Sequence, residues 1–255
     1  MALALLLFNF LLIFPYYIKD SVKNNDDEKL SVLQFNMYYE NQKIDAIYNW
    51  IINNDKSFDV IQFQEITPKQ KDLLDRLKEK YPYQFMVLEN GNFGFALLSR
   101  YELVNTSSNN IPQHWNKYLA ATIKFHNKDI RWFGLHTIPP ATKNYWLNNT
   151  KELEYIADVV KKDDNQYKLL VGDFNITPYN YRFRKLLKNS KLKSAMTGFG
   201  IKNSWSIRGI PFPKVFGLAI DHILTSSKIK TTNYDVGDFL FSDHRPIFAD
   251  IVLMP

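Results

Sequence analysis

"FSDHRPIFADIVL", residues 241–253, places an aspartate, a histidine and an arginine directly in front of a run that reads as a core strand. A strand that merely begins has no use for three ionisable groups. If other apolar runs end in the same way, the polar ends define one rim of a sheet structure and a site on that rim. They do so throughout the chain. "LSVLQF" runs into Asn36, "FDVIQFQ" ends at Gln64 and Glu65, and "IRWFGLH" ends at His136. "YKLLVGDF" carries Asp173 with Asn175 just beyond it, and Asp221 with His222 interrupts "AIDHILTS".

Between these strands lie helical patterns. "KIDAIYNWIINN" puts Ile44, Ile47, Tyr48, Ile51 and Ile52 on one face, giving a β-α-β opening. "ITPKQKDLLDRLKEK" begins with Thr67 as N-cap, Pro68 at the first helical position and Gln70 in capping-box spacing. "YQFMVL", "FGFALLS" and "YLAATIKF" read as strands. "TKELEYIADVVKK" reads as a helix capped by Thr150, and Thr177-Pro178 as the start of another carrying Phe183, Leu186 and Leu187. Strands and helices mixed in both halves predict an α/β fold of two mixed β-sheets, packed face to face with helices outside.

The 255 residues, 45% of them hydrophobic, suffice for one large core. There is no cysteine, which excludes disulfides, thiolate zinc sites and cysteine nucleophiles. The net charge of +6 favours anionic partners. Residues 1–18, "MALALLLFNFLLIFPYYI", are apolar apart from Asn9, and no charge precedes Lys19. That pattern suits an uncleaved hydrophobic anchor with Tyr16 and Tyr17 at the membrane interface, the alternative being a buried N-terminal helix. Residues 19–29 read as a charged linker and residues 30–255 as the catalytic domain.

The ordered series "QFNMYY", "QFQEI", "NFGFALLSR", "LHTIPP", "VGDFNITP", "IDHIL" and "SDHRPIFADI" resembles the endonuclease/exonuclease/phosphatase superfamily, the deoxyribonuclease I-like fold. Within it, the chain is most similar to bacterial members with hydrophobic N-terminal spans, in which a histidine is followed by two prolines, here His136, Pro139 and Pro140. The resemblance implies a four-layer sandwich, a divalent metal (Mg²⁺, with Mn²⁺ as the alternative) and phosphoester hydrolysis.

It also implies roles. Glu65 would be the main metal ligand, with Asp243 beside the metal and Asn36 reaching both metal-bound water and phosphate. His244 would pair with Asp221. Either that pair or Asp173 would activate water, a choice the residues leave open. His136 and Asn175 would donate to phosphate oxygens. In extended geometry Asp173 and Asn175, two apart, point to the same face, and Gly172 permits a close backbone approach to a ligand. His222 is assigned to packing.

The substrate implied by the resemblance is a phosphate ester of nucleic acid, phospholipid or inositol phosphate, and no protein partner is implied. Loop residues Trp115, Tyr145, Trp146 and Trp205 offer surfaces for stacking on bases or for a membrane interface. Lys143 is the only cation soon after the proline pair, where the bacterial group carries an arginine. A catalytically inactive, membrane-anchored phosphate-binding module is the alternative, against which stands the full set of acid, base and amide positions. Lys19, Lys23 and Lys29 after the apolar segment favour a cytoplasmic domain, whereas several upstream spans, as in the bacterial group, favour an extracytoplasmic one. The expectation is membrane attachment with the domain outside the cytoplasm.

Overall fold

The computed structural model describes residues 10, 11, 13–18, 29–207 and 216–255. In chain order, β1 (Lys29–Asn36) leads through α1 (Ile44–Asn53) to β2 (Val60–Gln64), and α2 (Lys71–Leu77) follows a short 3-10 turn at Pro68–Gln70. Next come β3 (Tyr83–Val87), β4 (Phe95–Ser99), β5 (Leu103–Asn110), β6 (Lys117–Phe125) and β7 (Lys128–His136). Then α3 (Lys143–Lys162), β8 (Lys168–Asp173) and α4 (Tyr181–Ser190) precede β9 (Lys193–Ser194), β10 (Asp221–Thr225), β11 (Ile229–Val236) and β12 (Ile247–Leu253).

Among the described residues these strands make two six-stranded sheets, ordered β11-β12-β1-β2-β4-β3 and β5-β6-β7-β8-β10-β9. Each sheet is antiparallel except for one parallel pair joined by a helix, β1 with β2 and β7 with β8. The expected four-layer α/β sandwich is present. One core lies between the sheets, with Val32, Val60, Trp132 and Val171. A second lies under α1 and α2, with Leu33, Phe63, Leu73 and Leu77, and a third under α3 and α4, with Leu135, Ile156, Leu170 and Phe183. Central strands are therefore buried on both faces, which is why they read as nearly unbroken apolar runs.

Three glutamines interrupt those runs. Gln34, Gln62 and Gln64 face the inter-sheet core and are fully buried. Gln62 donates to the Val171 carbonyl at 3.1 Å and accepts from Trp132 Nε1 at 2.7 Å. Gln64 donates to the Leu135 carbonyl at 2.5 Å and accepts from the Asp173 amide at 2.9 Å. Each amide thus crosses from one sheet to the backbone of the other and fixes their relative placement. Strand register completes the rim: Asn36 lies opposite Gln64, His136 opposite Asp173, and Asp221 opposite Asp173.

Several expectations need correction. The capping box at Thr67 and Gln70 is present. Thr150, however, caps nothing: α3 begins seven residues earlier, Thr142 Oγ1 accepts from the Tyr145 amide, and Thr150 donates to the Trp146 carbonyl inside the helix. Tyr145 and Trp146 accordingly lie on its first turns and not in a loop. Asn180, not Thr177, caps α4, because residues 177–180 first close a turn. Strands β5, β9 and β11 were not foreseen.

Gly172 serves packing between elements. Its φ is +145°, and a Cβ there would meet the Leu135 carbonyl oxygen at 1.9 Å and Gln64 Nε2 at 2.3 Å.

Among the described residues no helix is long and apolar enough to cross a membrane. The anchor and linker readings fall mostly on residues 1–9, 12 and 19–28, outside the described set. Where the segment is described, Tyr16 is not a membrane-interface residue. It is 8% exposed within the inter-sheet core, its carbonyl accepts from the Gly200 amide at 2.6 Å, and burial pushes its hydroxyl up to about 12. Tyr17 beside it is exposed.

Gly172→Ala should destabilise the protein by about 2–5 kcal/mol, from overpacking and from a backbone conformation closed to alanine. Denaturant unfolding measures this, and a loss within experimental error would refute the packing role.

Candidate active site

The rim brings Asn36, His136 and His244 together around one carboxylate oxygen, Oδ2 of Asp173. Asn36 Nδ2 lies 3.2 Å from it, His244 Nε2 3.5 Å and His136 Nε2 3.6 Å. Asn36 Nδ2 also donates to Glu65 Oε1 at 3.0 Å, and His136 Nε2 stands 3.7 Å from that same oxygen. Glu65 reaches inward because it takes a left-handed backbone, φ 56°, directly after β2, and its Oε2 accepts from the Tyr39 amide at 3.2 Å. His136 Nδ1 donates to the Asn92 carbonyl at 2.9 Å, which leaves Nε2 to face the carboxylates.

The opposite side of Asp173 is built on Asp221. His244 Nδ1 donates to Asp221 Oδ2 at 2.8 Å, and Ser204 Oγ donates to the same oxygen at 2.6 Å. Gln34, from the other sheet, donates to Oδ1 at 2.9 Å. Ser242 holds the histidine's backbone: its hydroxyl accepts from the His244 amide at 3.0 Å and donates to the Asn36 carbonyl at 2.8 Å.

Burial alone would pull His244 down, but Asp221, Asp173 and Asp243 override it and raise the imidazole to about 10. Burial also pushes Asp173 up, Asp221 adds to this, and the two histidines oppose it, leaving the carboxyl at about 6. Asp221 resists burial because His244, Ser204 and Gln34 hold it below the usual carboxylate range. His222 is not part of this set: its Nε2 meets the Ile176 carbonyl at 2.7 Å, its ring lies against Phe174 and Phe183, and burial lowers it to about 4.

One expected placement differs. Asn175 takes a left-handed conformation, φ 50°, so it does not continue the strand face. Instead it closes a turn with Asp173: Asn175 N donates to Asp173 Oδ1 at 2.9 Å, while Nδ2 donates to the Thr137 carbonyl at 2.9 Å. Asp243 is half-buried at the start of the last strand's approach and accepts from Trp205 Nε1 at 3.1 Å.

Metal donors can be weighed by what already occupies them. Among the described residues, Asp173, Asp221 and His244 offer ligand atoms within 4.8 Å of one another. Asp221 is spent on three donors and His244 Nδ1 on Asp221, so this trio is a hydrogen-bonded acid–imidazole chain more than a cage. Glu65 fits a cation better, while Asn36 presents its Nδ2 donor to the carboxylates and its Oδ1 accepts from the Tyr38 amide at 3.1 Å. Glu65 Oε1 and Asp173 Oδ2 share a single amide donor, and these hard oxygens suit Mg²⁺ or Mn²⁺ over a softer ion.

Sequence reasoning missed Gln34 and Ser204 as members of the site. Gln34 had a signal, a lone amide at an inward position of an apolar strand; Ser204 had none.

Residues 33–244 match the model of the Endonuclease/Exonuclease/phosphatase family. The chain belongs to that family. Solved structures agree on the fold: D. rerio TDP2 complexed with single strand DNA product is 17% identical, with a TM-score of 0.73 over 88% of this chain and 99% of that one. The 3′ phosphatase NExo from Neisseria, bound to product DNA hairpin, is 18% identical, TM-score 0.68, over 86% and 98%. Sphingomyelinase C from Streptomyces griseocarneus is 14% identical, TM-score 0.67, over 87% and 99%. No curated protein matches the chain by sequence.

The family rim predicts a pH response of the metal-free protein. An imidazole raised from 6.5 to about 10 stabilises the fold fully below its unfolded value, and that contribution disappears as pH rises through about 10. Thermal unfolding in chelator should therefore show stability falling across this window, with His244→Gln flattening the fall. Identical slopes for the two proteins would refute the Asp221–His244 pairing.

Proposed function

We propose that the protein is a divalent-metal-dependent phosphoesterase in which Asp173 is the general base and His244 acts as an imidazolium. The observation that carries this reading is the convergence of Asn36, His136 and His244 on Asp173 Oδ2 at 3.2–3.6 Å. A carboxyl near 6 is largely ionised at neutral pH yet basic enough to take a proton from water efficiently. An imidazole near 10 keeps its proton and can donate it to a nonbridging phosphate oxygen. This favours Asp173 over His244 as the base, the choice that sequence left open.

A divalent ion held by Glu65 and Asn36, with Asp243 nearby, would supply charge neutralisation on the phosphate and leaving oxygen. Asn36 then spans the ion and the base. His136, oriented by the Asn92 carbonyl, faces the phosphate from β7, and Asn175 positions Asp173 while keeping one amide hydrogen for the substrate. Nothing in the rim favours an inactive binding module, since the acid, base and amide groups stand together within hydrogen-bonding reach. The reading includes attachment through residues 1–18 with the domain outside the cytoplasm, in line with the His136, Pro139, Pro140 resemblance; the exposed Phe10, Leu11, Phe14, Tyr17 and Ile18 support an apolar contact there.

Hydrolysis of bis-(p-nitrophenyl) phosphate with and without Mg²⁺ is the test. Asp173→Asn should lower kcat by about 10²- to 10⁴-fold, and Asp221→Asn should act in the same direction. A fully active Asp173→Asn enzyme would move the base elsewhere.

Glu65→Gln should abolish most Mg²⁺-dependent turnover and weaken Mn²⁺ binding seen by electron paramagnetic resonance, with little change in melting temperature. Unchanged metal affinity would remove Glu65 from the ligand set.

A further inference from the structure

His136 has two sides. One faces Asp173 and Glu65; the other walls a cavity of about 270 Å³ that also touches Asn92, Phe93, Trp115, Ile138, Pro139 and Tyr145. Trp115 is 80% exposed at its mouth, an unusually large apolar surface to leave in water beside a polar site. We propose that this cavity is a subsite for an uncharged planar ring carried by the substrate's phosphate, so that the enzyme acts on nucleotide-type phosphoesters with a nucleobase stacked on Trp115. The inference rests on the phosphoesterase reading, because continuity through His136 is what places the ring next to the phosphate.

The lining decides among ligand classes. No lysine or arginine contributes to it, so it cannot hold a second phosphate and does not suit inositol polyphosphates. Aromatic faces alone could hold a quaternary ammonium group, but such a group offers neither donor nor acceptor to the Asn92 amide, so phosphocholine is the competing ligand in the test below. Glu152, bonded to two residues of the lining, is 1% exposed, and both its oxygens are taken, by Asn116 Nδ2 and the Ile138 amide at 2.9 Å each. Burial also pushes its carboxyl up. An alkyl chain would gain from Trp115, Phe93 and Ile138 but would leave Asn92, whose side-chain amide has no partner among the described residues, facing hydrocarbon. A nucleobase satisfies both features, with a face for the indole and an edge for the amide. Such stacking tolerates any base, since every base presents a π-face.

The experiment uses the full chain loaded with Mg²⁺ and three ligands: thymidine monophosphate, deoxyribose phosphate and phosphocholine. Calorimetry gives each Kd, and inhibition of bis-(p-nitrophenyl) phosphate hydrolysis gives each Ki. Thymidine monophosphate should bind about 5- to 150-fold more tightly than deoxyribose phosphate, the range expected for one stacked base. Trp115→Ala should erase that advantage and leave deoxyribose phosphate unchanged, while Trp115→Phe should keep most of it. Equal affinities for the two sugar phosphates would overturn the proposal. So would tighter binding of phosphocholine, or a Trp115→Ala variant that weakens all three ligands alike. Base-dependent binding without any diester turnover would retain the subsite and defeat the catalytic reading; turnover without base preference would do the reverse.

Discussion

A carboxylate sealed between two sheets is the constraint on which this molecule turns. Asp221 has no contact with water to solvate its charge, and removing one partner from such a group typically costs about 3–5 kcal/mol. Its three donors come from separate parts of the chain: Gln34 from β1 in the opposite sheet, Ser204 from the long connection before β10, and His244 from the turn before β12. The charge is tolerated only when the two sheets and both connections are seated to hydrogen-bond accuracy. Folding the sandwich and assembling the site are consequently one event.

The same coupling runs through Gln64. Its Oε1 receives both the Asp173 amide and Gln34 Nε2, each at 2.9 Å, so the backbone of the proposed base and the donor to Asp221 share one acceptor. A shift of one sheet against the other would disturb the base and its imidazolium neighbour together. Gly172, with its Cβ position filled by Leu135 and Gln64, lets β8 lie close enough for this to happen. Its role is sheet-to-sheet contact, one step removed from the ligand approach that the "VGDFN" pattern suggests.

What could be read from sequence follows from burial. Strands β1, β2, β4, β7 and β8 are covered on both sides, so their apolar runs are unbroken and the polar residue ending each run stands out. That contrast found Asn36, Glu65, His136, Asp173 and Asp221. Strands β5 and β11 lie at sheet edges with partly exposed faces, "LVNTSSNN" and "IKTTNYDV", where half-polar composition looks like loop. The first turns of α3 were lost because "KNYWLNN" is neither periodic nor capped by the nearer threonine, and Thr142 does the capping instead. Ser204 sits in irregular chain and owes its place to a contact with a residue 17 positions away, which no local pattern encodes. Tyr16 shows the limit of hydropathy: an apolar segment is compatible with lipid or with protein, and here one of its rings is in protein.

Charge on the whole chain says little about charge at the site. The net +6 points to anionic partners in general, yet among the described residues no lysine or arginine forms an ion pair with Glu65, Asp173, Asp221 or Asp243. Four carboxylates converge on two imidazoles, and even with His244 fully protonated the cluster is short of positive charge. An incoming phosphate would add to that deficit. That deficit supports the divalent ion proposed above, and it falls on Glu65, both of whose oxygens accept from amide donors.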